Sequence, residues 1–513
     1  MTASEELDAL FPLPTRRQDS FCPDWLPGVT SESKLAVSRV LKANHEQRHA
    51  FINEYGFHNH TSHHLLAVFA LGAPPPIFDA IFGDHKSRTL PTLESPGVID
   101  EDNFFEHLGK RVYYDAYLQH FHKVVLEKGA SAAMEEYLFS PAANFSETQS
   151  DSQRQMLTRT FSMLFHPMIY LGYGLEFGIP GLVAEGLAQI ATHPLQGEGL
   201  ITREEFRTQS GVTTGASGFV SSFASLLLNK ERSLSAPKST NVHALTILAR
   251  VLRDERFSST SIRFAPVGHR SEILSHYSQV LAELGDVLRS YVKEWYMDYD
   301  DPARVESKVE ELCWTNTLLY SVGGWGGRNV KAGKTFTADF FLMHMVTSSI
   351  FVSSTVTYLS PSSIVQFLRA YFISSIAWWV ARGRPLLPIR EFYAAVTATP
   401  VPYGTVNVKP THGTLSTEVA PSNPWLPILQ TTIVHQDDHI GKLQRALAHF
   451  ATKYGDRPKG HLSVLADVDD VSLDGVEVLD GTLFIRAAGL TANELGWMKE
   501  GQARGEWSID AFY

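Results

Sequence analysis

Cysteine is the scarcest residue in this 513-residue chain, with two copies, Cys22 and Cys313. Two thiols build neither a disulfide framework nor a zinc knuckle, and such usage fits a reducing, cytoplasmic setting. Clusters of Lys and Arg are lacking and the net charge is −11, which argues against a nucleic-acid partner. No run of about 18 uncharged apolar residues occurs, so no membrane span is expected. The opening residues, Met1-Thr2-Ala3-Ser4-Glu5-Glu6, lack an apolar core, so no secretory signal is expected either. Internal repeats and heptads are missing. Nucleotide fingerprints are missing too: Gly172-x-Gly174-x-x-x-Gly178 has the wrong spacing and follows no strand. The Gly323-Gly324-Trp325-Gly326-Gly327 break, a candidate hinge, lacks the Lys-Ser/Thr of a phosphate loop. No flavin is therefore expected.

What is present is ordinary globular material, 44% apolar, enough for a large core. Its periodicity is helical, and the expected class is mainly α: a large helical bundle with a small C-terminal β appendage. Residues 1–30 read as an N-terminal arm, 31–455 as a helical catalytic domain, and 456–513 as a small β-containing extension. The β reading rests on Val464, Val468, Val471, Val476, Val478, Leu483, Phe484 and Ile485, with turns at Asp474-Gly475 and Asp480-Gly481. Helices are predicted over 31–54, 240–253, 270–298, 303–321 and 361–382, the last nearly uncharged and the most buried. Gly211 to Gly218 and a helix near 218–229 read as a loop or lid.

Histidine carries the chemistry. His58, His60, His63 and His64 fall within seven residues, just before the apolar run Leu65–Leu71. On a helix His60 lies one turn from His63 and His64, and neutral imidazoles so placed bind metals or handle protons. His166 and His344 each interrupt an apolar helix, where a buried imidazole must find a partner. His439 follows Asp437-Asp438, one of which would cap a helix, and Lys442 lies one turn on. A separate pattern, His45-Glu46-Gln47-Arg48-His49, is a formal HExxH and gives a zinc hydrolase as an alternative; Ile52 and Tyr55 stand where an extended zincin motif needs Gly and His. Tyr113, Tyr114, Tyr117, His120, Phe121 and His122 form an aromatic face suited to a core or to a flat ligand.

Four segments together resemble the questin oxidase-like family over roughly residues 30–455: Asn59-His60-x-x-His63 with Leu71-Gly72-Ala73, His166-x-x-Ile169, His344-Met345-Val346-Thr347, and Asp437-Asp438-His439-Ile440-Gly441-Lys442-Leu443. The resemblance implies a fungal polyketide-tailoring oxygenase that uses O2 to open a ring of a hydroxylated anthraquinone or related polycyclic phenol. Baeyer–Villiger insertion and metal-dependent C–C cleavage are both implied routes. It also implies that His60, His166, His344 and His439 converge on one ion, Fe(II) by expectation, since imidazole-rich spheres suit such metals. Lys442 joins them as a hypothetical ligand, a neutral lysine that takes up CO2 as a carbamate. His63 or His64 would move protons or add a ligand, Tyr170, Trp325 and the 113–121 face would stack the substrate, and NADPH would serve as external reductant. The remaining alternatives are a flavin-free, NADPH-dependent Baeyer–Villiger monooxygenase and a non-catalytic polyketide-binding protein.

Overall fold

Apolar side chains recurring every three to four residues wind most of the described residues into helices. The structure, a computed structural model, describes residues 2–17, 21–53, 56–146, 154–207, 242–265, 273–295, 301–404, 411–415, 422–466 and 472–513. The stretch from Gly211 to Gly218 and the helix expected near 218–229 lie outside the described residues. The helices used below are α1 (Ser31–Gln47), α2 (Thr61–Ala70), α3 (Tyr114–Met134), α4 (Ser162–Phe177), α5 (Pro180–Thr192), α6 (Ile273–Lys293), α7 (Pro302–Gly326), α8 (Phe340–Val356), α9 (Pro361–Ala381), α10 (Asp438–Tyr454) and α11 (Leu483–Leu495).

The core forms where α4 packs on α5 and α8, α8 on α7, α6 on α9, and α10 on α2, α8 and α11. Helices α8 and α9 are buried almost all round, as their near lack of charge predicts. Helix α9 is long and apolar enough to cross a membrane, yet 89% of that apolar window is buried inside the protein. Caps fix where the helices begin. Thr30 and Ser33 form a capping box ahead of α1. Asp339 accepts the Phe341 and Leu342 N–H groups of α8, and its other oxygen takes Arg382 at 2.7 Å, both side chains fully buried. Asp437 caps α10 through the His439 N–H at 2.9 Å.

Three expectations need correction. The C-terminal β appendage is not there: among the described residues of 456–513 the regular structure consists of short 3-10 turns at Ser463–Ala466, Val476–Val478 and Met498–Glu500, α11, and one isolated bridge from Ser508 to Asp339. Leu483, Phe484, Ala487, Ala488, Ala492 and Leu495 are buried at helical spacing against α10 and α7. A short Val/Leu/Phe run fits strand or helix equally, and here the alanines that follow favour the helix. Second, α1 stops at Gln47 rather than near residue 54, because Arg48 turns extended and bridges to Pro91 while the His49 N–H donates to Leu90 O. Third, the glycine run 323–326 does not break the chain but continues α7. Its glycines serve close packing: a Cβ on Gly324 would run into Thr337 O and the Phe336 ring.

Candidate functional site

Four helix beginnings meet at one place. His60 sits just ahead of α2, His166 opens the right-handed part of α4, His344 lies in the second turn of α8, and His439 is the second residue of α10. Their rings close a circuit, with centroids 4.8 Å apart for His60–His166, 4.8 Å for His166–His344, 5.2 Å for His344–His439 and 4.7 Å for His60–His439. The four histidines that the sequence singled out are thus brought together.

Each ring is held the same way. His166 Nδ1 lies 2.5 Å from Met163 O and His344 Nδ1 2.6 Å from Phe340 O. His60 Nδ1 and His439 Nδ1 lie 2.9 and 2.8 Å from Asp438 Oδ1. Carbonyls and carboxylates only accept, so in all four rings Nδ1 carries the proton, and in the neutral form of each ring Nε2 carries the lone pair. All four Nε2 atoms are buried without a hydrogen-bond partner. Pinning one ring nitrogen on an oxygen so that the other is presented bare is how proteins orient metal-binding imidazoles. Ligand atoms of His166, His344 and His439 lie within 4.8 Å of one another, as do those of His60, Asp438 and His439, and of His58, His60 and His166. Two nitrogens bound to one ion at about 2.1 Å span at most ~4.2 Å, so the donor set fits a transition metal with small ring movements.

Burial sets the protonation. It pushes His60 down to about 3, with Lys442 adding to the effect, and pushes His166 and His344 well below their ordinary value, helped by neighbouring imidazoles. His439 alone moves up: burial and Lys442 oppose its charge, but the carboxylates of Asp438 and Asp437 outweigh them. Burial brings Lys442 down to about 8 against the pull of Asp438 and Asp437. Its Nζ lies 3.8 Å from Asp438 Oδ1 and lacks a hydrogen-bond partner.

The same burial makes the fold acid-sensitive. It lowers His64, His122, His193 and His449 to about 3, and His49 and His85 to about 4. An unfolded chain binds protons at these sites below about 6.5, whereas the folded chain does so only near those depressed values. Stability is therefore fully present above about 6.5 and is lost as pH falls toward 4 and then 3. Thermal melts should show Tm dropping steadily from about pH 7 to about pH 4.5; a constant Tm would contradict the burial.

Just before His166 the backbone runs left-handed for three residues, Met163, Leu164 and Phe165, at φ 49°, 59° and 62°. The sequence had placed them inside an apolar helix. For non-glycine residues this costs about 1–2 kcal/mol each, and such conformations gather at functional sites. The turn is held by the Met163 N–H donating to Gln196 Oε1 at 2.8 Å, and it places Met163 O against the His166 ring. The right-handed helix then starts at His166-Pro167, where a proline's fixed φ and missing N–H suit a first turn.

The ring circuit opens on a cleft of about 450 Å³ bordered by His58, His60, His166 and His439, with apolar walls from Phe57, Leu164, Phe340 and Trp507. That volume suits a small organic ligand. Arg88 and Arg504 stand at its rim.

Other predicted residues are placed elsewhere. His63 lies behind the circuit, its ring 5.4 Å from His60 and 4.2 Å from Tyr170, with both nitrogens buried and unpartnered. His64 turns to His85 at 3.3 Å. The Tyr170 hydroxyl donates to Asn59 O, and its ring borders a second cleft. Trp325 is covered by Arg328, and Tyr117 donates to Phe104 O, so neither Trp325 nor the 113–121 face borders the histidine cleft. His45 pairs with Glu185 at 2.7 Å while His49 accepts the Phe51 N–H. With α1 ending between them, these two histidines do not share the helical face that a zincin requires.

Sequence reasoning left His58 open among four neighbours; its ring stacks 4.3 Å from His166 and its Nε2 lies 2.7 Å from His193 Nε2. From sequence, Asp437 or Asp438 caps the helix; Asp437 takes that place, and one oxygen of Asp438 holds two of the four rings. Adjacency to His439 was the available signal. Trp507 and Arg504 had none, lying in the supposed β extension.

Known proteins resemble this chain along most of its length. The sequence model of a family described as questin oxidase-like matches residues 57–447. A Baeyer–Villiger oxidase of Pestalotiopsis fici is 25% identical over 421 residues, 80% of this chain and 79% of its own. A questin oxidase of Aspergillus terreus is 24% identical over 420 residues, 80% of this chain and 79% of its own. A Baeyer–Villiger monooxygenase of Aspergillus aculeatus is 24% identical over 439 residues, covering 82% of this chain and 80% of its own.

Proposed function

This chain belongs to the questin oxidase-like family of oxidoreductases, and on that premise we propose that it opens a ring of a polyketide anthraquinone or related polycyclic phenol, with Fe(II) held by His60, His166, His344 and His439. The observation that carries the metal is the set of four buried Nε2 atoms left bare while every Nδ1 is pinned on an oxygen. The names of the relatives, questin oxidase and Baeyer–Villiger oxidase, support the substrate class and the reaction.

Bound there, the ion would supply the activation of O2 that side chains cannot. The chain's own residues do the rest. Asp438 keeps the Nδ1 protons of His60 and His439 in place, and the carbonyls of Met163 and Phe340 do so for His166 and His344. Phe57, Leu164 and Phe340 exclude water from one side of the cleft and offer a flat ring apolar contact. Arg88 and Arg504 stand where phenolate or quinone oxygens would meet a cation. Insertion of a single oxygen atom consumes two external electrons, for which we propose NADPH; cleavage that keeps both oxygen atoms needs none.

The test combines elemental analysis of the purified protein with oxygen uptake on a panel of hydroxyanthraquinones, with and without NADPH. One transition-metal ion per chain and uptake on at least one panel member are expected, and the NADPH requirement separates the two routes. A protein with neither metal nor uptake would sink the reading. The Lys442→Ala variant belongs in the same experiment. If the buried amine contributes a ligand, metal content and uptake fall together; unchanged values would remove Lys442 from the centre.

A further inference from the structure

Residues 504–509 lie beyond the stretch that the family model matches, 57–447, yet they form one side of the cleft. The segment runs extended and is fastened along its length. The Ser508 N–H donates to Ala338 O and the Phe340 N–H to Ser508 O, both at 2.8 Å, joining the segment to the start of α8. Arg382 donates to Ile509 O at 2.9 Å. Side chains fasten it as well: Asp437 accepts the Trp507 indole N–H at 3.1 Å on one oxygen and Arg504 at 2.9 Å on the other. Asp437 is also the cap of α10, whose second residue is His439.

Trp507 is half-buried and lines the cleft. Its ring stands 6.4 Å from His439 at a steep angle. The bond to Asp437 stops the indole from swinging, and the backbone on its C-terminal side is tied to α8. A fixed aromatic plane beside the ligand cluster is a stacking surface for another flat ring. Of the other aromatic side chains on the cleft, Phe340 packs edge-on to His344 and His439, 4.7 and 5.0 Å away, Phe341 packs against Trp378 and under Arg382, and Phe57 stands as a further wall.

Resting on the functional reading above, we propose that Trp507 is the specificity-determining wall of the cleft: the flat face of the aromatic substrate lies against its indole, which sets how many fused rings are accepted. The shared core then carries the chemistry, and a segment outside it carries the choice of substrate. A purely structural strap, acting only through Asp437, predicts something different, and the indole N–H tells the two apart.

The test is equilibrium binding by calorimetry, without oxygen, of a 1,8-dihydroxyanthraquinone and a bicyclic hydroxynaphthoquinone to the full-length protein and to its Trp507→Ala and Trp507→Phe variants, with metal content measured on each. Trp507→Ala should weaken the tricyclic ligand about tenfold or more and the bicyclic one by less than about threefold. Trp507→Phe, which keeps an aromatic face but loses the bond to Asp437, should stay within about threefold for both. An unchanged tricyclic-to-bicyclic ratio in Trp507→Ala would overturn the inference, and so would a Phe variant as damaged as the Ala variant. Because binding is read without turnover, a wild type that binds but opens no ring defeats the functional reading alone. Equal binding by wild type and Trp507→Ala defeats this inference alone, and a wild type that binds neither ligand defeats both.

Discussion

Replacing His344 by alanine is expected to abolish metal retention while leaving the fold in place. The His344 ring is held by its own helix, through Phe340 O at 2.6 Å, so its removal breaks no hydrogen bond of His60, His166 or His439. The residue is fully buried, and truncation leaves a cavity costing about 2–3 kcal/mol, which a domain of this size should tolerate with a lowered Tm. Losing one of four nitrogen donors weakens a divalent ion far more than the 10–100-fold that follows the loss of a supporting group. Metal content should fall below about a tenth of an equivalent after dialysis, and ring-opening activity at least about a hundredfold. Circular dichroism guards against unfolding. Were the variant to keep a full equivalent of metal, His344 would be structural, and the ion would belong to His58, His60 and His166 or to His60, Asp438 and His439.

The second large effect is expected at Asp438, which touches no substrate and acts through two imidazoles at once. Asp438→Asn keeps the shape but offers one accepting oxygen where an anion stood, and its amide would point N–H groups at the protonated Nδ1 of His60 or His439 if flipped. Asp438 is held well below the ordinary carboxylate range, since His439 and His60 outweigh the opposing effect of burial; the charge is therefore present throughout the working pH range. Its loss should cost about 10–100-fold in metal affinity and in kcat, with KM for the aromatic substrate little changed. The visible spectrum of the cobalt-substituted protein should shift as well, because two ligands lose their orientation. A wild-type spectrum with wild-type kcat would mean that the Asp438 carboxylate does not orient the two rings.

How far the sequence announced this arrangement differs from residue to residue. The buried helices were legible because Phe340–Val356 and Pro361–Ala381 carry almost no charge over 17 and 21 residues, too long for a buried strand. His166, His344 and His439 were legible one at a time, as polar intrusions in apolar or capped helices, but their meeting was not: nothing local in a chain encodes which helix beginnings face one another. The error at the C-terminus was one of periodicity. Val476 and Val478 alternate as a strand would, yet they sit on a short 3-10 turn, and Leu483–Leu495 takes its register from packing against α10. The early end of α1 was invisible because Arg48 leaves the helix to pair with Pro91, a partner some forty residues away. Asp438 escaped because a carboxylate at a helix start has a sufficient local explanation, and its task on the two rings appears only once His60, 378 residues earlier in the chain, packs against it.

The reversed twist at Met163, Leu164 and Phe165 has a consequence for the order of assembly. A growing helix cannot produce three residues of the wrong hand, so that geometry has to be imposed by neighbours, Gln196 among them. The His166 ring is therefore aimed only after the segment following α5 has docked, and it drifts when that segment loosens. Gentle denaturant should then release any metal held by the four histidines before the helices unfold, with the Met163 amide among the first near the centre to exchange with solvent.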